Sequence, residues 1–115
     1  MKAENTKAQM RKGILEYCIL TILSKREAYT SEIIEELKEA KLIIVEGTLY
    51  PLLTRLKNAK MLSYRWEESD SGPPRKYYHL TDAGKEMVNE LKNHWEEIKH
   101  SVQKIEHIDS TQPKK

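Results

Sequence analysis

No run of apolar residues in this chain reaches the length of a membrane span. Residues 1–6 have no apolar stretch behind them, so no secretory leader is expected. The only cysteine, Cys18, cannot close an internal disulfide, and this usage suits a reducing, cytoplasmic setting. On an apolar helix face Cys18 reads as a small buried hydrophobe rather than a reactive thiol. No glycine-rich elbow or phosphate loop frames the Ser, His and Asp residues, so no enzyme is read here. Of the histidines His79, His94, His100 and His107, only His100 and His107 share a helix face. They stand two turns apart with no cysteine at ligand spacing, so neither a metal nor another cofactor is expected. A large excess of one charge is also missing. The net charge is +2, so bulk charge does not announce nucleic acid, and local placement must carry that argument.

What is present is a folded pattern. A chain of 115 residues makes one domain with room for one protruding element. It is too short to bury a large core alone, and a dimer would help. Its apolar residues are periodic, and the stretch over residues 46–58 organises the rest. There Leu49, Leu52, Leu53 and Leu56 recur at i, i+3, i+4 and i+7, the apolar face of an amphipathic helix. The opposite face carries Thr48, Pro51, Thr54, Arg55 and Asn58, flanked by Tyr50 and Lys57. Hydroxyl, amide and guanidinium groups are those that bond base edges and phosphates. A core helix with a solvated back is the plainer reading of this stretch alone. Pro51 is expected at the end of the first turn, with its i−4 carbonyl, that of Gly47, at or before the helix start.

Two helices precede this one. Residues 6–24 read as the first, with Met10, Ile14, Tyr17, Cys18 and Thr21 on one face and Leu15, Ile19, Ile22 and Leu23 thickening it. Its basic start, Lys7, Arg11 and Lys12, reaches flanking phosphate or is simply solvated; the residues alone leave both open. Residues 25–29 read as a connector. Thr30 reads as the N-cap of a second helix that buries Ile33, Ile34 and Leu37. Glu32, Glu35, Glu36 and Glu39 make the outer face of that helix acidic. The β-branched run Ile43-Ile44-Val45 suggests an edge strand.

After the organising helix the period changes. Residues 62–66 alternate apolar and polar, Ser69 to Pro74 is turn chemistry, and residues 75–80 return as a second strand. Three helices followed by a hairpin is the order of a winged helix-turn-helix, whose third helix enters the major groove while the hairpin lies against the backbone or minor groove. Arg75 and Lys76, just past a Gly-Pro-Pro tip, are expected on phosphate; the acidic Glu67, Glu68 and Asp70 favour a merely solvated hairpin. Tyr77 and Tyr78 should point to opposite faces of the strand. Thr81 reads as the N-cap of a last helix, in which Val88, Leu91, Trp95, Ile98, Val102 and Ile105 are spaced by three and four residues. That is a heptad seam, narrow enough to be covered by another chain or, in part, by the first helix. Trp95 in the seam either packs plainly or, paired with its symmetry mate, leaves a slot for a small planar effector.

Two blocks carry a resemblance. Glu46-Gly47-Thr48-Leu49-Tyr50-Pro51-Leu52-Leu53-Thr54-Arg55-Leu56 and Gly72-Pro73-Pro74-Arg75-Lys76-Tyr77-Tyr78-His79-Leu80-Thr81-Asp82-Ala83-Gly84 closely resemble the two signature blocks of PadR-like transcriptional regulators. The resemblance runs over residues 14–95, and the spacing and length are similar to those of short members that end in one C-terminal helix. It implies a winged-helix homodimer acting as a transcription factor, commonly a repressor released by small molecules. Two positions depart from the pattern. Relatives often have Gly-Tyr after the tyrosine matching Tyr29, where this chain has Thr30-Ser31. They usually have Glu where Lys57 stands, and its loss removes a possible ion pair with Arg55.

The expectation is a mainly α chain with a small β-hairpin. A winged helix-turn-helix spans residues 5–80, a long C-terminal dimerisation helix residues 81–108 and a disordered tail residues 109–115. The expected DNA contacts are Thr48, Tyr50, Thr54, Arg55, Arg75 and Lys76; Arg55 has an ion pair with the acidic second helix as its alternative. The expected partners are double-stranded DNA, a second copy of the chain and a small planar effector, with no membrane. The reading is a cytoplasmic, ligand-responsive DNA-binding repressor. Its class-level alternative is an interaction module that has lost DNA and docks an acidic protein.

Overall fold

The computed structural model describes residues 3–110. In chain order the elements are α1 (Ala3–Lys25), β1 (Ala28–Tyr29), α2 (Thr30–Glu39), α3 (Glu46–Asn58), β2 (Leu62–Ser69), β3 (Gly72–Leu80) and α4 (Asp82–Glu106). Three helices, a three-stranded antiparallel sheet of order β1-β3-β2 and a long closing helix make up a winged helix-turn-helix with a C-terminal extension. Of the expected tail, residues 109 and 110 follow α4 without helix or strand, and residues 111–115 lie outside the described residues.

The core forms where the apolar stripes of the first three helices converge on the sheet. Leu15, Ile19, Leu20 and Leu23 of α1, Ile33 and Leu37 of α2, and Leu49, Leu53 and Leu56 of α3 meet Ala28, Leu62, Tyr78 and Leu80. On α1 the buried line is thus Leu15, Ile19 and Leu23, joined by Leu20. The expected line through Met10 is off by part of a turn, and Met10 is exposed. Helix α3 buries its leucines as expected, with Leu52 only partly covered.

Four local expectations need correction. The hairpin turn is Asp70–Ser71 alone, and Gly72, Pro73 and Pro74, expected as its tip, open β3, with Gly72 paired to Ser69. Residues 43–45 form no strand; the small edge strand is Ala28–Tyr29, which pairs with Tyr77 and Tyr78 of β3. Its residues lie in the segment read as a connector, where two residues are too few to show a period. The N-cap of α2 is Tyr29 rather than Thr30, and the Glu32 carboxylate accepts the Tyr29 backbone N–H at 2.9 Å. Thr30 instead begins the helix. Gly47 is the second residue of α3, not a residue at its edge, so Pro51 sits within the helix and forgoes the backbone bond to Gly47. Gly47 is exposed, which leaves that carbonyl to water.

Helices α2 and α3 end alike. Lys41 and Lys60 take the left-handed conformation, with φ of 68° and 65°. Past each, a backbone N–H returns to the helix, Leu42 to the Leu37 carbonyl at 2.8 Å and Met61 to the Leu56 carbonyl at 3.0 Å. This is the Schellman arrangement, in which a glycine is the usual residue. The second of these turns also seats α4. Thr81 donates its hydroxyl to the Lys60 carbonyl at 2.6 Å and its backbone N–H to the Met61 carbonyl at 3.1 Å. The same hydroxyl accepts the Gly84 N–H at 3.0 Å, so Thr81 is the N-cap that the sequence indicates. Gly84 is buried at this junction, and a Cβ there would overlap the Met61 carbonyl oxygen. The first turns of α4 then pack Met87, Val88 and Leu91 against the core. Further along, exposure climbs from 41% at Ile98 through 47% at Val102 to 66% at Ile105.

Two glycine substitutions should therefore move stability in opposite directions. Gly84→Ala should cost about 1–3 kcal/mol, the range for an overfilled site, because its neighbour is backbone that cannot swing away. Gly13→Ala, inside α1 with open space around it, should stabilise by roughly 0.5–1 kcal/mol. Thermal and urea unfolding of both variants beside the parent chain measures the pair.

Candidate nucleic-acid interface

The exposed side of α3 is not one row. Thr48, Tyr50, Thr54 and Arg55 are all exposed, but helical spacing sets Tyr50 with Thr54 and Thr48 with Arg55. Tyr50 turns toward the hairpin. Together with Glu46 it walls a cleft of about 380 Å³ whose other walls are Tyr29, Thr30 and Ser31 at the start of α2 and Trp66, Pro74, Arg75 and Lys76 on the hairpin. Thr48 turns the other way. With Pro51 and Leu52 it borders a groove of about 570 Å³ that runs along Gln9, Arg11, Lys12 and Leu15 of α1 and past Ile43 to Val45. Arg55 is 73% exposed and ion-paired with Glu16 at 3.1 Å. Its partner lies on α1, not on the acidic α2.

Strand register sorts the hairpin residues into two faces. Tyr29, Tyr77 and Arg65 are aligned across the three strands on one face, and Arg75, two residues from Tyr77, joins them. On that face the Arg65 guanidinium lies 4.7 Å from the Tyr77 ring, Tyr77 stacks on Tyr29 at 4.6 Å, and Arg75 lies 4.2 Å from Tyr29. The other face begins with buried Tyr78 and continues through Tyr64 to Lys76 and Trp66 at the outer end. Tyr77 and Tyr78 therefore do point apart, with Tyr78 in the core. Burial, followed by the nearby Tyr50 and Tyr64, pushes the Tyr78 hydroxyl above its ordinary range. The Lys76 ammonium stands 4.6 Å from the Tyr64 ring and 5.6 Å from that of Trp66, and Lys57 of α3 also approaches the Tyr64 ring, at 5.5 Å.

The basic groups differ in how far they are neutralised. Arg65 is bound to Glu27 at 3.0 Å and Glu67 at 2.7 Å, and Arg26 to Glu32 at 3.1 Å and Glu36 at 3.3 Å. Arg75 and Lys76 rest on aromatic rings, and among the described residues neither is in an ion pair. A ring holds a cation in place through its quadrupole without cancelling the charge, so these two keep theirs for an anion. Glu46 in the cleft wall and Glu32 behind Arg75 temper the local potential.

The model of the transcriptional regulator PadR-like family matches residues 19–90, more than half of the chain. The chain belongs to this family. A PadR-like transcription factor from Bacteroides fragilis is 60% identical, with 88% of this chain and 98% of that one covered and a TM-score of 0.75. A PadR-like transcriptional regulator from Bacillus cereus is 38% identical over 88% of this chain and 99% of its own, with a TM-score of 0.76. Bacillus subtilis PadR, whose structure is that of a complex with operator DNA, is 27% identical and covers 68% of this chain and 46% of its own, with a TM-score of 0.63. The protein is thus a PadR-like transcriptional regulator and not an enzyme. No helix among the described residues is long and apolar enough to cross a membrane, and among them no three His, Cys, Asp or Glu side chains gather as a metal site would need.

Several residues of this surface escape a sequence reading. Tyr29 and Trp66 were visible only as members of a connector and a strand. Alternation does place Trp66 with Tyr64, but its approach to Lys76 needs the cross-strand register. Glu16 gives no sign of its link to Arg55.

The cap that positions Tyr29 makes acid a probe. The Tyr29 N–H and, after it, Arg26 and Arg75 hold the Glu32 carboxyl below its ordinary value of 4.5. A depressed carboxyl stabilises the fold fully above that value, and the contribution fades as pH falls below it. Glu32→Ala should cost about 1 kcal/mol at neutral pH, as loss of a cap does, and the gap from the parent chain should shrink below pH 4.5. Urea unfolding of both chains across that range measures it.

Proposed function

We propose that this regulator is a cytoplasmic homodimer that represses transcription at a two-fold symmetric operator and is released by a small effector. On this reading α3 and the start of its following turn, about residues 47–59, enter the major groove, and the hairpin, about residues 62–80, is the wing. One observation carries the reading. Exposed Tyr50 lines the same cleft as Arg75 and Lys76, two cations that are in no ion pair among the described residues, and exposed Thr54 follows Tyr50 one turn along α3. Tyr50 and Thr54 supply base or phosphate contacts from one face of α3, and Arg75 and Lys76 supply phosphate contacts. Thr48 and Arg55 serve the half of the site nearer α1. The relation to a protein crystallised on its operator supports the same assignment.

The dimer rests on the outer half of α4. Residues 5–80 act as the DNA-binding domain and residues 81–108 as the dimerisation helix. Val88 and Leu91 are partly used within the chain, whereas Ile98, Val102 and Ile105 are left open at the spacing of a helix seam. Trp95, half-buried between these groups, is the residue proposed to stack against a planar effector. The interaction-module alternative, docking on an acidic protein, draws on the internal Arg55–Glu16 pair. It requires a surface that ignores duplex DNA.

Two measurements test this reading. Binding to duplex should weaken steeply with salt as phosphate contacts release counterions. Arg75→Ala should lower affinity for operator and scrambled duplex alike and reduce the salt slope by about one unit per lost contact, whereas Thr54→Ala should weaken the operator most. Affinity that ignores salt would favour the module. Separately, the double change Ile98→Asp and Val102→Asp should yield monomer in sedimentation, and a variant that stays dimeric would remove α4 from the interface.

A further inference from the structure

The cleft between α3 and the wing contains more than the contacts just proposed. Its most unusual wall is Trp66, a large apolar ring left 61% exposed on the solvent end of β2. Trp66 is neither a core residue nor part of the α4 seam. Its ring meets Tyr64 edge-on at 6.0 Å and lies beside the Lys76 ammonium. With Pro73, Pro74 and Glu68 it also borders a second, more open hollow of about 500 Å³. Trp66 and Pro74 are common to both hollows. The first of them is also lined by Tyr29, Thr30 and Ser31 and, on α3, by Tyr50 and the one acidic residue Glu46. Apolar rings alternating with un-neutralised cations match one chemistry well: a polymer in which apolar sugar faces alternate with phosphates.

We propose that the cleft seats the sugar–phosphate backbone of duplex DNA, with Trp66 packed on deoxyribose and Tyr29 serving as the pedestal that aims Arg75 at phosphate. This rests on the DNA-binding reading above and adds Trp66 and Tyr29 to it. Trp66 touches the ligand. Tyr29 is a positioning residue: its backbone caps α2 and pairs with β3, and its ring carries Arg75 at 4.2 Å. Because sugars and phosphates recur at every nucleotide, these contacts strengthen binding without selecting sequence.

The two tryptophans of the chain make the seat observable. Protein grown on 5-fluorotryptophan gives two fluorine resonances, and the Trp66→Phe variant assigns them. Adding a mixed-sequence duplex at low salt should shift the Trp66 resonance in step with the anisotropy of the labelled duplex. Trp66→Ala should weaken binding to operator and mixed duplex equally, by about tenfold, the scale of losing one large apolar contact. Trp66→Phe should restore most of that loss. Tyr29→Phe should bind as the parent does, because it keeps the ring. Tyr29→Leu should lose affinity, and should lose no more when Arg75→Ala is added.

The failures are distinguishable. A duplex that binds by anisotropy while the Trp66 resonance stays still overturns the seat and leaves DNA binding standing. A chain that binds no duplex overturns both. A free deoxynucleoside monophosphate that shifts the resonance at or below the duplex concentration would make the cleft a small-molecule site and overturn the assignment. If Tyr29→Leu bound as well as Tyr29→Phe, the pedestal role would be lost.

Discussion

The polar surface of this protein depends on a pairing only two residues long. Ala28 and Tyr29 add a third strand to the hairpin, and through them the wing is tied to the helices. Ala28 faces inward and is fully buried. Tyr29 is engaged three ways at once: its backbone pairs with Tyr77, its N–H is capped by Glu32, and its ring stacks on Tyr77 and under Arg75. A lone two-stranded ribbon is at best marginally stable in water. A third strand anchored to the start of α2 gives the wing a fixed place beside α3.

A second constraint is electrostatic. The same hairpin carries three basic residues in two conditions. Arg65 is neutralised by Glu27 and Glu67 and belongs to the fold. Arg75 and Lys76 are held by rings and belong to the surface's outward chemistry. Exposed ion pairs contribute little stability, so the pairing of Arg65 matters more for where charge is removed than for how tightly the chain folds. The net charge of the chain conceals this division, because it sums paired and unpaired groups alike.

Much of the architecture was legible in the residues. The leucine spacing over 49–56 announced α3 and its buried face, and the shift to alternation after residue 62 announced the hairpin. Thr81 announced the start of α4, and the seam from Val88 to Ile105 its narrow apolar stripe. Each is a local pattern, repeated at the period of the element it forms, so it survives without knowledge of neighbours. The candidate surface was legible in part: the α3 residues, Arg75 and Lys76 were all named from their chemistry and place in the order of elements.

The remainder came from contacts between segments far apart in the chain. The pairing of residues 28–29 with 77–78, the Arg55–Glu16 pair and the approach of Trp66 to Lys76 have no local period to betray them. Lysines occupy the left-handed turns after α2 and α3, where a sequence reading looks for glycine. Gly84 is required not by its own backbone angle but by the Met61 carbonyl, 23 positions earlier, that lies where its side chain would be. Sequence by itself determined the four helices, the hairpin, their order and the family, because periodicity and motif are properties of adjacent residues. Tertiary structure alone decided which polar groups cancel one another and which are left facing outward, because that depends on which distant segments the packed core brings within reach.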